Sequence, residues 1–180
     1  MNDRFVLPPP APGDMKRSFV SRAGVKLDAA LAVFGIDISG AVCADLGANV
    51  GGFTDCLLRR GAVKVYAVDT AYGVLAWTLR KDARVVVMER TNALHVRLPE
   101  PVDVAAIDVG WTRQEKALPA AATLLKAGAQ VLTLIKPHYE SDAARAQRGV
   151  LSTEQSEAML WRVVDGIAAA GWKVRGIMRS

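Results

Sequence analysis

The stretch Val42-Cys43-Ala44-Asp45-Leu46-Gly47-Ala48-Asn49-Val50-Gly51-Gly52-Phe53 decides the fold, because a short apolar run ends in an acid and then a glycine-rich turn. Val42–Leu46 predicts a buried strand, residues 47–52 a tight loop whose bare backbone can approach a ligand, and residues 53–60 a helix. A strand, a tight turn and a helix N-terminus form a place where a nucleotide fits, since backbone N–H groups and the positive end of the helix dipole face the loop.

Spacing narrows the ligand. The dinucleotide fingerprint is G-x-G-x-x-G, whereas this chain reads Asp45-x-Gly47-x-x-x-Gly51-Gly52. An acid leading the turn can anchor an ammonium, directly or through water, and S-adenosylmethionine carries that ammonium and no phosphate. A second acid, Asp69, closes the apolar run Lys64–Val68 at the distance expected of a ribose-binding acid. The run Val85–Met88 predicts a third strand, and the loop Glu89-Arg90-Thr91-Asn92-Ala93 that follows should flank the adenine. There Asn92 reads equally as an adenine partner or as a turn-forming residue. The expected cofactor contacts are therefore Asp45, Gly47, Ala48, Asn49, Gly51, Gly52, Phe53, Asp69, Asn92, Ala93 and Asp108.

The chain has 180 residues, 51% of them hydrophobic and four of them Trp, enough for one domain with a sizeable core. A net charge of +5 and a pI near 9.5 favour a polyanionic partner over an acidic binder's role. Cys43 and Cys56 have neither metal spacing nor a disulfide framework, so they read as reduced core residues, and no metal is expected. No apolar run approaches the roughly 18 residues of a membrane span, and charges and prolines stand where a signal peptide would be apolar. A cytoplasmic protein without membrane contact is the expectation.

Residues 1–17, with Pro8-Pro9-Pro10 and Pro12-Gly13-Asp14, read as a proline-rich flexible tail, and residues 18–180 as the domain. Ala23, Leu27, Ala30, Leu31 and Phe34 then recur at helical spacing, with Gly35 as a stop. Arg22 and Lys26 share one edge of that helix, beside Lys16 and Arg17 upstream, which is an ordinary solvated face unless a substrate uses it.

Residues 72–80 predict a helix, Val102–Ile107 a fourth strand ending at Asp108, residues 117–125 a helix stopped near Gly128, and residues 131–135 a fifth strand. Three acids, Asp45, Asp69 and Asp108, should thus converge at strand ends. The fifth strand leads into Lys136-Pro137, and a lysine at the end of a central strand favours a functional role. Trp111 reads as a cover over the core more readily than as a base-stacking residue, and His95 as a loop histidine. Residues 138–150, with Glu140, Asp142, Arg145 and Arg148, look like a lid or an RNA clamp. Ser152 and Gln155 make a capping box for a helix whose core stripe is Ala158, Trp161, Val164, Ile167 and Ala168, and residues 172–177 predict a sixth strand.

Val20-Ser21-Arg22-Ala23-Gly24-Val25-Lys26-Leu27, Asp45-Leu46-Gly47-Ala48 with Gly51-Gly52-Phe53-Thr54-Asp55-Cys56-Leu57-Leu58, Tyr66-Ala67-Val68-Asp69, Glu89-Arg90-Thr91-Asn92-Ala93, Ile107-Asp108-Val109 and Leu134-Ile135-Lys136-Pro137 together resemble the hemolysin-like (TlyA-type) branch of the FtsJ-like ribosomal RNA 2′-O-methyltransferases. The likeness covers almost everything after Ser18. It implies a Rossmann-like α/β fold, a mostly parallel sheet with helices on both faces, S-adenosylmethionine as cofactor and ribosomal RNA as substrate. That family uses a Lys-Asp-Lys-Glu tetrad, whose first three members fall by resemblance on Lys26, Asp108 and Lys136. Lys136 is then the candidate base, Asp108 its orienting partner, and Lys26 with Arg22 the groups that position RNA.

Three departures accompany the likeness. The family's glutamate lies on a last strand after a Gly/Asn turn, and the sequence ends where that turn would begin, so that strand and the fourth tetrad member are expected to be missing. The upstream RNA-binding domain of S4 type that many relatives carry is expected to be absent, with the proline-rich tail in its place. Gly110-Trp111-Thr112 stands where relatives have Ser and an aromatic residue. A sheet without its last strand would leave an exposed edge for a second copy of the chain. The other readings are a catalytically impaired cofactor- or RNA-binding module, a nicotinamide dehydrogenase, disfavoured by the absent G-x-G-x-x-G, and a cytolysin, which no membrane-length or basic amphipathic helix supports.

Overall fold

The computed structural model describes residues 6–7, 19–142 and 151–179. In chain order they form β1 (Val6–Leu7), α1 (Arg22–Val33), β2 (Val42–Leu46), α2 (Gly52–Arg59), β3 (Lys64–Val68), α3 (Trp77–Arg80), β4 (Val85–Met88), β5 (Val102–Ile107), α4 (Gln114–Ala122), β6 (Leu125–Thr133), α5 (Pro137–Glu140), α6 (Thr153–Ala169) and β7 (Ile177–Met178). The remainder of the proline-rich stretch, Lys16 and Arg17, and the Arg145 and Arg148 part of the expected lid lie outside the described residues.

Five strands pair in the order β4-β3-β2-β5-β6, every neighbouring pair parallel. The chain runs outward from β2 through β3 to β4, then crosses back to β5 on the other side of β2. That reversal opens a crevice at the carboxyl ends of β2 and β5, the place where doubly wound sheets receive ligands. Strand periodicity sorts the buried side chains into two layers. Cys43, Val65, Ala67, Val104 and Ala106 face Leu27, Leu31, Phe53, Leu57 and Leu79 of α1, α2 and α3. Ala44, Leu46, Tyr66, Val68, Ala105 and Ile107 face Ala117, Leu118 and Ala121 of α4, with Ile167 of α6 and Trp172 packed beside them. An α/β, Rossmann-like sheet with helices on both faces is thus the observed architecture.

Strands β2 to β5 and helix α1 fall where the sequence predicts them. Elsewhere the prediction needs correction. The helix expected over 72–80 shrinks to Trp77–Arg80, because Asp69 Oδ1 takes the Ala71 N–H, Glu89 Oε1 takes the Gly73 N–H and the Val50 carbonyl takes the Ala76 N–H. Helix α4 starts and stops earlier than 117–125, since the Leu124 carbonyl accepts from Val102 N and the chain enters the sheet from Leu125. Strand β6 is accordingly longer than 131–135 at its start, with its register broken between the Val102 and Val104 pairs, and it ends at Thr133.

The sixth strand expected over 172–177 does not join the sheet. Residues 172–176 are irregular, Trp172 docks on the core, and Ile177–Met178 pairs instead with Val6–Leu7. Among the described residues, nothing pairs with the outer edge of β6. The capping box of α6 forms as predicted between Ser152 and Gln155. Of its expected core stripe, Val164 is buried and Ile167 and Trp161 are partly covered, while Ala158 and Ala168 are exposed, as α6 packs against α4 and α5. No described helix is long and apolar enough to cross a membrane.

Candidate active site

The glycine turn is folded by its own hydrogen bonds. Gly47 N and Ala48 N both donate to the Val68 carbonyl at 2.9 and 3.0 Å, Gly51 N donates to Ala48 O at 2.8 Å, and Asn49 N donates to Asp69 Oδ2 at 2.7 Å. These four amides are satisfied internally and are not available to a ligand. Gly47 is required by position: its φ is +94°, and a Cβ there would lie 2.6 Å from the Asp108 carbonyl oxygen. Gly52 is required by packing. A Cβ on it would meet Ser21 Oγ at 2.1 Å and Gly24 N at 2.9 Å, so α1 and α2 approach backbone to backbone at the crevice.

A cleft of about 180 Å³ opens above this turn, lined by Ser21, Ala23, Gly47, Ala48, Asn49, Val50, Gly52, Phe53 and Asp108. Asp45 lies beneath it rather than in its wall. The Asp45 side chain is fully buried, and its Oδ2 accepts from Thr54 N at 2.8 Å and from Thr54 Oγ1 at 2.6 Å, while its Oδ1 has no hydrogen-bond partner among the described residues. Burial pushes its carboxyl up to about 7, against the Thr54 bonds, and the nearby charges of Asp108 and Asp69 push the same way. The three acids therefore share one electrostatic neighbourhood. Asp69 ties the turn to the end of β3, Oδ2 accepting from Asn49 and Oδ1 from Ala71 at 2.8 Å.

On the far side of the switch point, Lys136 and Asp108 meet as an ion pair between Nζ and Oδ1, a charge contact rather than an aligned hydrogen bond. The two arrive from adjacent parallel strands: Asp108 follows β5, its N–H held by the Leu46 carbonyl, and Lys136 follows β6, with Leu134 N held by the Ile107 carbonyl. Pro137 then opens the single helical turn of α5, which brings Tyr139 back under Lys136. The ammonium stands 5.1 Å from the Tyr139 ring centre.

Sequence reasoning missed Tyr139 and His138 as parts of the site. Their rings are 4.2 Å apart, and Trp111, 57% exposed, lies 4.6 Å from Tyr139 and 6.3 Å from His138. A proline at the first helical position was the available signal, since one helical turn puts residue 139 on the side of residue 136. Gln114, buried, fixes this corner: its N–H donates to Glu140 Oε1 and its Oε1 accepts from Thr133 Oγ1.

Arg22 and Lys26 are exposed on α1, whose first turn supplies Ser21 and Ala23 to the cleft wall, and they join none of the ion pairs formed among the described residues. Asn92 is exposed and its Oδ1 accepts from Leu94 N, so its side chain serves a local turn, and Ala93 packs on the core. His95 is exposed. Cys43 and Cys56 are buried and in no disulfide among the described residues, and burial pushes the Cys43 thiol up to about 12. Among the described residues, no group of three His, Cys, Asp or Glu converges as a metal site.

The model of the FtsJ-like methyltransferase family matches residues 19–180. The chain belongs to the FtsJ-like methyltransferase family. It is 44% identical over 173 residues to the 16S/23S rRNA (cytidine-2′-O)-methyltransferase TlyA of Mycobacterium tuberculosis, covering 93% of this chain and 64% of the relative. Bacillus subtilis YqxC, provisionally named an rRNA methyltransferase, is 39% identical over 171 residues, covering 90% of this chain and 60% of the relative. The chain thus spans somewhat less than two thirds of the length of these curated relatives. Among solved structures, a Lactococcus lactis protein given the provisional name hemolysin superposes with a TM-score of 0.80 at 34% identity, covering 87% of this chain and 77% of that one. This FtsJ-like chain has a relative named for cell lysis as well, the Hemolysin A of Brachyspira hyodysenteriae, at 37% identity, covering 86% of this chain and 67% of the relative.

Proposed function

We propose that this chain transfers a methyl group from S-adenosylmethionine to a ribose 2′-hydroxyl of RNA, and that its substrate is ribosomal RNA in the cytoplasm. The observation that carries the reading is the Lys136–Asp108 pair, held at adjacent strand ends beside the glycine turn.

The crevice fits the cofactor's charge pattern. Its surroundings carry the carboxylates of Asp45, Asp69 and Asp108, and the buried Asp45 Oδ1 lacks a donor among the described residues. Asp45, Gly47, Ala48, Asn49, Gly51, Gly52 and Phe53 would hold the amino acid end, with Asp45 acting through the floor of the cleft. Asp69 would hold the ribose, and the loop with Asn92 and Ala93 would border the adenine. The bound cofactor supplies an electrophilic methyl group on a sulfonium.

The protein's remaining task is to align and deprotonate the hydroxyl. Asp108 fixes Lys136 Nζ at the cleft, and Tyr139 supports the lysine from beneath. Lys136, having first released its ammonium proton to solvent, takes the 2′-hydroxyl proton as the methyl group transfers from the sulfonium to the ribose oxygen, while Lys26 and Arg22 hold phosphates along the exposed edge of α1. The free edge of β6 is where a second copy would pair.

The test uses methyl-labelled cofactor and ribosomal subunits lacking the modification. Label in alkali-resistant dinucleotides marks a 2′-O-methyl group and supports the proposal. Label confined to bases, or no label with intact cofactor binding, contradicts it. The second outcome would leave a cofactor-binding module.

A further inference from the structure

We propose that Tyr72 and Trp77, with Arg90 and Lys81, form a stacking track for single-stranded RNA on the rim beside the cleft. The inference rests on the RNA methyltransferase reading and adds the surface over which the substrate runs.

Tyr72 and Trp77 are each 68% exposed, the most exposed large apolar side chains among the described residues, and Val74 and Val50 beside them are 39% and 38% exposed. They belong to the segment after Asp69, which is fastened to the cleft by the Ala76 N–H to Val50 carbonyl bond. Each ring carries a cation: the Arg90 guanidinium stands 4.1 Å from the Tyr72 ring centre and the Lys81 ammonium 4.8 Å from that of Trp77. Arg90 reaches its place at a φ of +52°, unusual for an arginine, with its N–H held by the Ala71 carbonyl.

Charge selects the occupant. No acid occurs from Thr70 to Lys81, and Glu89, at the base of the rim, is engaged by Arg80 and by the Gly73 N–H. Arg90 and Lys81 join none of the ion pairs formed among the described residues. Exposed rings next to uncommitted cations match a strand of bases and phosphates, since every base has a face to stack and every linkage a charge to neutralise. The rim follows β3, while Trp111 follows β5, so aromatic surfaces flank both sides of the strand that ends in the glycine turn.

The experiment measures binding of a fluorescently labelled, unstructured oligoribonucleotide to the full chain by anisotropy. Trp77→Ala and Tyr72→Ala should each weaken binding about tenfold, Trp77→Phe should retain most of it, and Lys81→Ala should lower the salt slope by about one. Calorimetry with S-adenosylmethionine should give wild-type affinity for Trp77→Ala. Unchanged RNA affinity in both alanine variants overturns the track, as does loss of cofactor affinity with RNA affinity intact. A wild-type chain that binds and methylates RNA beside unaffected variants refutes this inference alone. Failure of the wild-type chain to bind RNA refutes the methyltransferase reading with it.

Discussion

Lys136 and Asp108 reach one another from the ends of β6 and β5, strands that are neighbours in the sheet and separated in the chain by helix α4. Parallel pairing therefore sets this ion pair, because strands that run together deliver their carboxyl-terminal side chains to the same edge. Gly47 brings the glycine turn to that point, its α-carbon seated against the Asp108 carbonyl.

The Asp45 carboxyl gives a pH signature. In the unfolded chain it ionises near pH 4, and in the folded protein burial raises it to about 7. Its contribution to stability is fully present below about pH 4 and is lost as pH rises to about 7, because only the unfolded chain ionises freely over that window. In cofactor-free protein, Asp45→Asn keeps an acceptor for Thr54 and removes the titration. Its melting temperature should rise relative to wild type between pH 4 and 7 and hold a constant offset above. Parallel melting curves across that range would remove Asp45 from the buried set.

Two glycines should respond oppositely to alanine. Gly52→Ala drives a methyl group into Ser21 and the Gly24 backbone and should cost about 1 to 3 kcal/mol by overpacking. At roughly 2 to 4 °C per kcal/mol for a chain of this size, melting should fall by several degrees. Gly166 lies within α6 with open space at its Cβ position, so Gly166→Ala should stabilise by about 0.5 to 1 kcal/mol. Differential scanning calorimetry on both variants checks the pair. Equal shifts would mean that α1 and α2 do not meet where described.

Asp69 should matter to cofactor affinity. Asp69→Ala removes an acceptor for a ribose hydroxyl and frees the Asn49 N–H that orders the turn, so calorimetry should show S-adenosylmethionine binding weakened by about 1 to 3 kcal/mol. Wild-type affinity in the variant would place the ribose elsewhere.

Strands β2, β3, β4 and β5 were legible to the residue because each is a short apolar run bounded by polar or turn residues, a signal local in sequence. The same rule misplaced the strand over 172–177: apolar residues there meet strand composition, but pairing partners are set by three-dimensional position, and Ile177–Met178 finds Val6–Leu7 instead. The helix expected at 72–80 failed where the Glu89 side chain captured the Gly73 amide and the Val50 carbonyl the Ala76 amide, which no window of sequence reveals. At the site, the three strand-end acids were visible from spacing. Asp45 turning downward to Thr54 was not, because a carboxylate after a strand reads alike whether it faces a ligand or a helix N-terminus.

Lys136 tests the central claim most directly. With ribosomal subunits as substrate and saturating S-adenosylmethionine, Lys136→Ala should leave cofactor affinity near wild type and lower kcat for ribose methylation by roughly 100-fold or more, the range expected for a general base. Lys136→Arg should fail as well, because a guanidinium keeps its charge beside Asp108 but does not give up a proton at working pH. An alanine variant that methylates at the wild-type rate, or a fully active arginine variant, would contradict Lys136 as the base.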